Sequence, residues 1–144
     1  MRLLAPETLF ILRAETQLAD RALVSLEQFA LGGSGTVRGY RQNALFTDNG
    51  VLLTAEVLVP VVRFSDGLLQ VAAFTDWGWG WNTAVRSQPV PDHLSSVGLG
   101  LRLRLGNQLT ARLDWGIPLV PLNTNSSGTL QENGIHFSIF YTPF

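Results

Sequence analysis

The chain reads as all-β: part of a transmembrane antiparallel β-barrel, six strands with one connection of about thirty residues after the first. Three observations predict this. Apolar and polar residues alternate with period two in six stretches, as expected of strands with one apolar face. No uninterrupted apolar run reaches the ~18 residues of a membrane-spanning helix, although the 144 residues are 46% hydrophobic and only 15% charged. The connections alternate between short and long, as they do where barrel strands meet tight turns at one rim and long loops at the other. A soluble sandwich has no reason to alternate in this way.

The first strand is expected from Thr8 to Leu18, with Phe10, Leu12 and Ala14 on one face and Ile11, Arg13, Glu15 and Gln17 on the other. The second, Gly50 to Pro60, sets Val51, Leu53, Ala55, Val57 and Val59 against Thr54 and Glu56. The third, Leu68 to Trp77, opposes Leu69, Val71 and Ala73 to Gln70 and Asp76. In the fourth, Ser95 to Leu105, Val97, Leu99, Leu101, Leu103 and Leu105 face away from Gly98, Gly100, Arg102 and Arg104. The fifth, Gln108 to Trp115, places Leu109, Ala111, Leu113 and Trp115 opposite Thr110, Arg112 and Asp114. The last, Gly134 to Tyr141, places Ile135, Phe137, Ile139 and Tyr141 opposite His136 and Ser138. Long connections (19–49, 78–94, 117–133) fall at one rim, which places it outside; 61–67 and the Gly106-Asn107 turn fall at the other, the periplasmic one. Trp77, Trp79, Trp81 and Trp115 sit near the outer ends, where an aromatic girdle belongs.

Composition narrows the function. There are no cysteines, so disulfides and thiolate metal sites are excluded. A net charge of −1 gives no nucleic-acid footprint. All ten basic residues are Arg and none is Lys. His93 and His136 belong to no HExxH or other ligand pattern, and no GxSxG nucleophile motif is present. The glycines of Leu31-Gly32-Gly33-Ser34-Gly35-Thr36-Val37-Arg38-Gly39-Tyr40 miss the dinucleotide spacing, and no phosphate-loop Lys follows them. The reading is therefore not an enzyme, with no cofactor and no metal. Met1 to Pro6 is too short for a signal peptide's apolar core, and six strands cannot close a barrel, so a fragment of a larger protein is expected.

Val37-Arg38-Gly39-Tyr40 resembles the VRGY/F signature in the sixth extracellular loop of the POTRA-bearing outer-membrane barrels. Thr54-Ala55-Glu56-Val57-Leu58-Val59-Pro60 resembles the acidic motif of their strand twelve, and Phe74-Thr75-Asp76-Trp77-Gly78 the FxDxG motif of strand thirteen. The run LADRALVSLEQFALGG ahead of VRGY is similar to the haemolysin secretion/activation transporters of the ShlB/FhaC/HecB group.

The resemblance implies that residues 1–144 are the C-terminal part of an outer-membrane barrel, strands eleven to sixteen of sixteen. It implies that 19–49 folds into the lumen as a plug, and that POTRA domains and the first ten strands lie elsewhere. It also implies two-partner secretion: export of an unfolded haemolysin- or adhesin-type exoprotein across the outer membrane of a Gram-negative-type bacterium. The expected partners are that client, the lipid bilayer and the barrel assembly machinery, with no nucleic acid. Arg38 is then expected to dock on Asp76 with Glu56 alongside. Both acids lie on the lumen face by parity. Arg102, Arg104, Arg112 and Asp114 share that face and would line a conduit or stand as solvated charges. Phe137, Ile139, Tyr141 and Phe144 would form the C-terminal assembly signal, with a bulge near Pro143 restoring the phase of Phe144. Two alternatives remain at this point: a BamA-like assembly insertase, and a soluble β-sandwich binding module.

Overall fold

Strand-forming residues alternate along most of the chain, and the computed structural model turns that alternation into a single antiparallel sheet. It describes residues 2–5, 7–83, 87–122, 130 and 133–143. Nine strands are present among them: β1 (Arg2–Ala5), β2 (Thr8–Gln17), β3 (Phe29–Leu31), β4 (Leu45–Thr47), β5 (Asn49–Phe64), β6 (Gly67–Trp81), β7 (His93–Leu105), β8 (Leu109–Pro118) and β9 (Ile135–Tyr141). Seven form the sheet in the order β1-β2-β5-β6-β7-β8-β9, each neighbouring pair antiparallel. β3 and β4 make a separate two-stranded ribbon. Among the described residues no helix is long and apolar enough to cross a membrane, which says nothing of a barrel.

Three expectations are corrected. The sheet has a seventh strand, because Arg2–Ala5 pairs with the start of β2. β6 runs on to Trp81 and β7 begins at His93, so the loop expected over 78–94 is shorter and His93 lies on a strand. Gly78 and Gly80 lie on the strand and face the loop, where an added methyl group would crowd Leu31, Val37 and Thr47. The long connection 19–49 also contains the β3–β4 ribbon, too short for its alternation to register.

Parity holds throughout the sheet. Even-numbered residues of β5 to β9 line one face, called inner here, and odd-numbered ones the outer face until a bulge shifts the phase. That bulge lies between Pro60 and Val62, where β5 carries one residue more than β6. Proline has no N–H to give the ladder, so an irregularity there is expected. Beyond it, Ser65 and Asp66 turn the chain into β6.

The outer face is apolar and uncovered: Leu12, Leu99, Trp115, Phe137 and Ile139 are all more than half exposed. An apolar surface this continuous is not stable in water and calls for a lipid environment or a partner. At its outer end Trp77 and Trp79 are exposed, and the Trp79 and Trp81 rings stack 4.7 Å apart at 37°. Trp rings of this amphipathic kind suit a membrane interface.

The inner face is paved differently. Gly50, Gly78, Gly80 and Gly116 stand where the long loop approaches the sheet, with side chains at the first three and backbone at the last. A methyl group on Gly78 would meet Leu31 at 2.7 Å and Val37 at 3.0 Å, and one on Gly80 would meet the Thr47 methyl at 2.8 Å. On Gly116 it would meet the Gly39 nitrogen at 2.6 Å and the Arg38 carbonyl carbon at 2.7 Å. Loop side chains thus rest on bare strand at Gly78 and Gly80, and loop backbone does so at Gly116.

Overpacking that contact is expected to displace the loop. Gly116→Val should cost about 1–3 kcal/mol and expose the 19–49 segment to limited proteolysis of the membrane-inserted protein. Gly35→Ala, whose added carbon meets nothing within 4 Å, should leave the cleavage pattern unchanged.

Candidate functional site: a buried arginine between loop and sheet

The segment between β2 and β5 is tied down at its base. Asp48, fully buried just before β5, takes the Leu23 N–H at 2.9 Å on one carboxylate oxygen. Its other oxygen takes the Thr83 N–H and hydroxyl, both at 3.1 Å. Its own N–H goes to Asn82 at 3.1 Å, and Asn82 in turn donates to the Ser87 carbonyl at 2.7 Å. Two outer loops are clasped together by this one carboxylate. The Leu23 N–H foremost, then the Thr83 and Gln28 donors, outweigh burial and hold its pKa at about 2.

Further along, Gly32 and Gly33 have φ of 105° and 104°, a region that glycine enters without strain. They allow a tight turn closed by Gly33 N–H to Val37 carbonyl (3.1 Å) and Thr36 N–H to Gly33 carbonyl (3.2 Å). The turn delivers the Val37–Tyr40 motif to the inner face. Val37 enters a fully buried apolar cluster with Leu31, Leu52 and Leu94. The Tyr40 hydroxyl lies 2.8 Å from the Val120 carbonyl and 3.0 Å from that of Ser95, and accepts the Val120 N–H at 3.1 Å. Gly39, at φ 99°, lies directly on Gly116. Its N–H points at His136 Nε2 at 3.4 Å, which makes that nitrogen the acceptor.

Between these anchors sits Arg38, 2% exposed. Its Nε and Nη2 donate to the two oxygens of Asp76 at 2.7 and 2.8 Å, a bidentate pair, and its backbone N–H adds a third bond at 3.0 Å. Nη1 donates to Glu56. The guanidinium carbon lies 3.5 Å from the centroid of the Phe74 ring. Charge-assisted, bidentate bonds of this kind are among the strongest a side chain makes, and the ring face adds a cation–π contribution.

A second tier surrounds this pair. Arg102 on β7 donates to the other Glu56 oxygen at 2.9 Å. Its Nη1 lies 2.7 Å from Asp114 Oδ1, but its N–H bonds are directed to the Leu101 and Leu113 carbonyls at 3.2 and 3.3 Å, so the contact is ionic. Arg112 Nε donates to the other Asp114 oxygen at 2.5 Å. Three guanidinium groups (Arg38, Arg102, Arg112) thus meet three carboxylates (Glu56, Asp76, Asp114), and the formal charges cancel. Room for them is made by glycine: a methyl group on Gly100 would meet Arg102 Nη1 at 2.7 Å.

Of the residues singled out from sequence, Val37, Arg38, Gly39, Tyr40, Glu56 and Asp76 converge here. So do Arg102, Arg112 and Asp114: Asp114 is fully buried, whereas Arg112 stays partly exposed. Arg104 is exposed and stands outside the group. Phe137, Ile139 and Tyr141 lie on the outer face of the edge strand, each about two-thirds exposed. Phe144 lies outside the described residues. Sequence reading missed Phe74, His136 and the glycine paving. Their one signal was inner parity within the FxDxG run, the WGWGW run and β9.

Removing the arginine leaves two buried carboxylates short of a partner, so Arg38→Ala should destabilise the folded barrel by about 3–5 kcal/mol. Asp76→Asn should couple to it by about 0.5–3 kcal/mol in a double-mutant cycle read by urea unfolding in lipid; strict additivity would contradict direct pairing. For Asp48 the folded pKa of about 2 lies below the unfolded value. Its stabilisation is therefore complete above about pH 4 and fades as pH falls through about 2. Asp48→Asn should remove that acid-dependent loss in unfolding curves measured across the interval.

Two comparisons with known proteins gave matches. The model of the family "Haemolysin secretion/activation protein ShlB/FhaC/HecB" matches residues 3–103. The heme/hemopexin transporter protein HuxB of Haemophilus influenzae (strain 86-028NP) is 36% identical over 90 residues, 59% of this chain and 16% of HuxB. HuxB of strain ATCC 51907 / DSM 11121 / KW20 / Rd is 35% identical over 92 residues, 60% of this chain and 16% of its own length. The chain thus spans 16% of the length of these curated relatives. No solved structure gives a significant match. With its all-β antiparallel sheet and the VRGY loop seated on strands β5 and β6, the chain belongs to the haemolysin secretion/activation protein family ShlB/FhaC/HecB, whose members are transmembrane β-barrels.

Proposed function

We propose that this chain supplies part of the wall, together with the plug loop, of an outer-membrane barrel that passes a secreted partner protein from the periplasm to the cell surface. The observation that carries the reading is the buried Arg38 between Asp76 and Glu56, which fixes segment 19–49 against the inner face. A segment held this way obstructs the barrel's interior, and it is held by ion pairs that can exchange for water or for other polar groups. Transport without a covalent step is what such a device suits. The chain carries no catalytic role in this reading, and the export path needs no cofactor.

The client is an unfolded exoprotein of the haemolysin or adhesin type, a class in keeping with the family's name. The relatives' name favours a second reading of the same step, in which the exported partner serves heme/hemopexin uptake. The outer, apolar face of the sheet meets lipid, and the exposed β9 carries the residues by which the assembly machinery would recognise the chain. Barrel assembly in the manner of BamA is the competing function. It predicts a general loss of outer-membrane proteins when the gene is deleted.

Deletion of the gene is expected to leave one large exoprotein in the periplasm and absent from the medium, with the outer-membrane profile otherwise unchanged. Complementation by the full-length Arg38→Ala protein should raise single-channel conductance in planar bilayers several-fold over wild type. A medium that still contains every exoprotein after deletion would sink the export reading.

A further inference from the structure

The surroundings of Arg38 amount to a fitted receptor for a guanidinium group. Asp76 presents both oxygens in the plane of the ion, Glu56 takes a third edge, and Phe74 offers a ring face. Every one of these groups belongs to the sheet, not to the loop. Two of them, Glu56 and Phe74, are also positioned independently of Arg38. Glu56 is held by Arg102 at 2.9 Å, and the Phe74 ring occupies the space that a side chain at residue 98 would need.

Were the loop to withdraw, the wall would keep three carboxylates and two guanidinium groups, one negative charge in excess, around a preformed slot. A concavity of about 310 Å³, lined by Glu56 together with Arg13, Arg38, Arg102 and Arg112, reaches the Glu56 side of the socket from the inner face. A compact ammonium ion cannot span the two Asp76 oxygens and lie flat on the ring at the same time, whereas a planar guanidinium does both.

We propose that this socket is a guanidinium-binding site in its own right, and that its second occupant is an arginine side chain of the polypeptide in transit, which exchanges with Arg38. The proposal rests on the export reading above. It gives the client a direct means of displacing the plug: an arginine entering the concavity offers the wall the same bonds that Arg38 makes. The cost of exposing the carboxylates, which would otherwise oppose withdrawal, is thereby avoided.

The test uses the full-length protein with Arg38→Ala, in planar bilayers and in a thermal melt. Millimolar guanidinium chloride, far below denaturing levels, is expected to bring the raised conductance back toward wild type and to raise the melting temperature. Ammonium and sodium chloride at equal ionic strength should do neither, with apparent affinities for guanidinium and ammonium separated roughly tenfold. A short unstructured arginine peptide should act where its lysine counterpart does not. Arg38→Ala/Asp76→Asn should respond to none of them. If Arg38→Ala does not insert, Arg38→Lys, which keeps a cation on the loop, carries the same measurements. Raised conductance with no preference for guanidinium in either readout overturns the socket and leaves the plug reading intact. Unchanged conductance overturns the plug reading, and the melting temperature alone then decides the socket.

Discussion

The inner face of this sheet is organised around one cation. A guanidinium removed from water is tolerated only when its N–H groups are satisfied and its charge is balanced, and every nearby feature answers that demand. Asp76 and Glu56 come from adjacent strands at inner-parity positions, and Phe74 stands between them in the register, directly across from Glu56. Arg102 and Arg112 then balance the charge of Glu56 and Asp114, which leaves Arg38 neither excess nor deficit. The loop's path follows from where that cation must go. Its positive-φ glycines, its small apolar cluster and its Tyr40 anchor all serve to bring one side chain to one place.

The two faces of the sheet solve opposite problems. On the outer face the backbone is satisfied by the ladder and the side chains are apolar, so the surroundings must supply contacts that water cannot. On the inner face glycines leave room for the loop, a small apolar cluster holds Val37, and the buried charges are paired. A strict period of two makes this possible, because each strand can carry both chemistries without interruption. Where the period breaks, at the Pro60–Val62 bulge, it does so at the end of the hairpin remote from the buried arginine.

Much of this was legible in the sequence, and what was not has a physical cause. Alternation located the six long strands because it reports which face a residue occupies. It understated β6, whose strand continues through WGWGW with glycines at the inner positions beneath a packed loop. It could not register β1, β3 or β4, which are too short for a period to repeat. The roles of Arg38, Glu56 and Asp76 were visible through the motifs they sit in. Asp114 and Arg102 were assigned to the correct face, but parity does not say how far a side chain reaches across neighbouring strands. Arg102 on β7 touches acids on β5 and β8, two strands away in one direction and one in the other. Phe74 and His136 were on the page as letters without a role, since a ring beneath a cation and a neutral imidazole facing a backbone N–H leave no mark in composition.

The paving of glycine has one more consequence. Surfaces that interlock through side chains resist sliding, because neighbouring groups must rotate out of the way before either surface can move. At its glycines the sheet has nothing to rotate: loop side chains rest on bare strand at Gly78 and Gly80, and backbone rests on backbone at Gly116. Friction between the two is therefore low, and the hold is concentrated in a few chemical bonds at Arg38, Tyr40 and Asp48. A latch built this way behaves like a bolt in a smooth channel, firm while its few bonds hold and free to travel once they are exchanged.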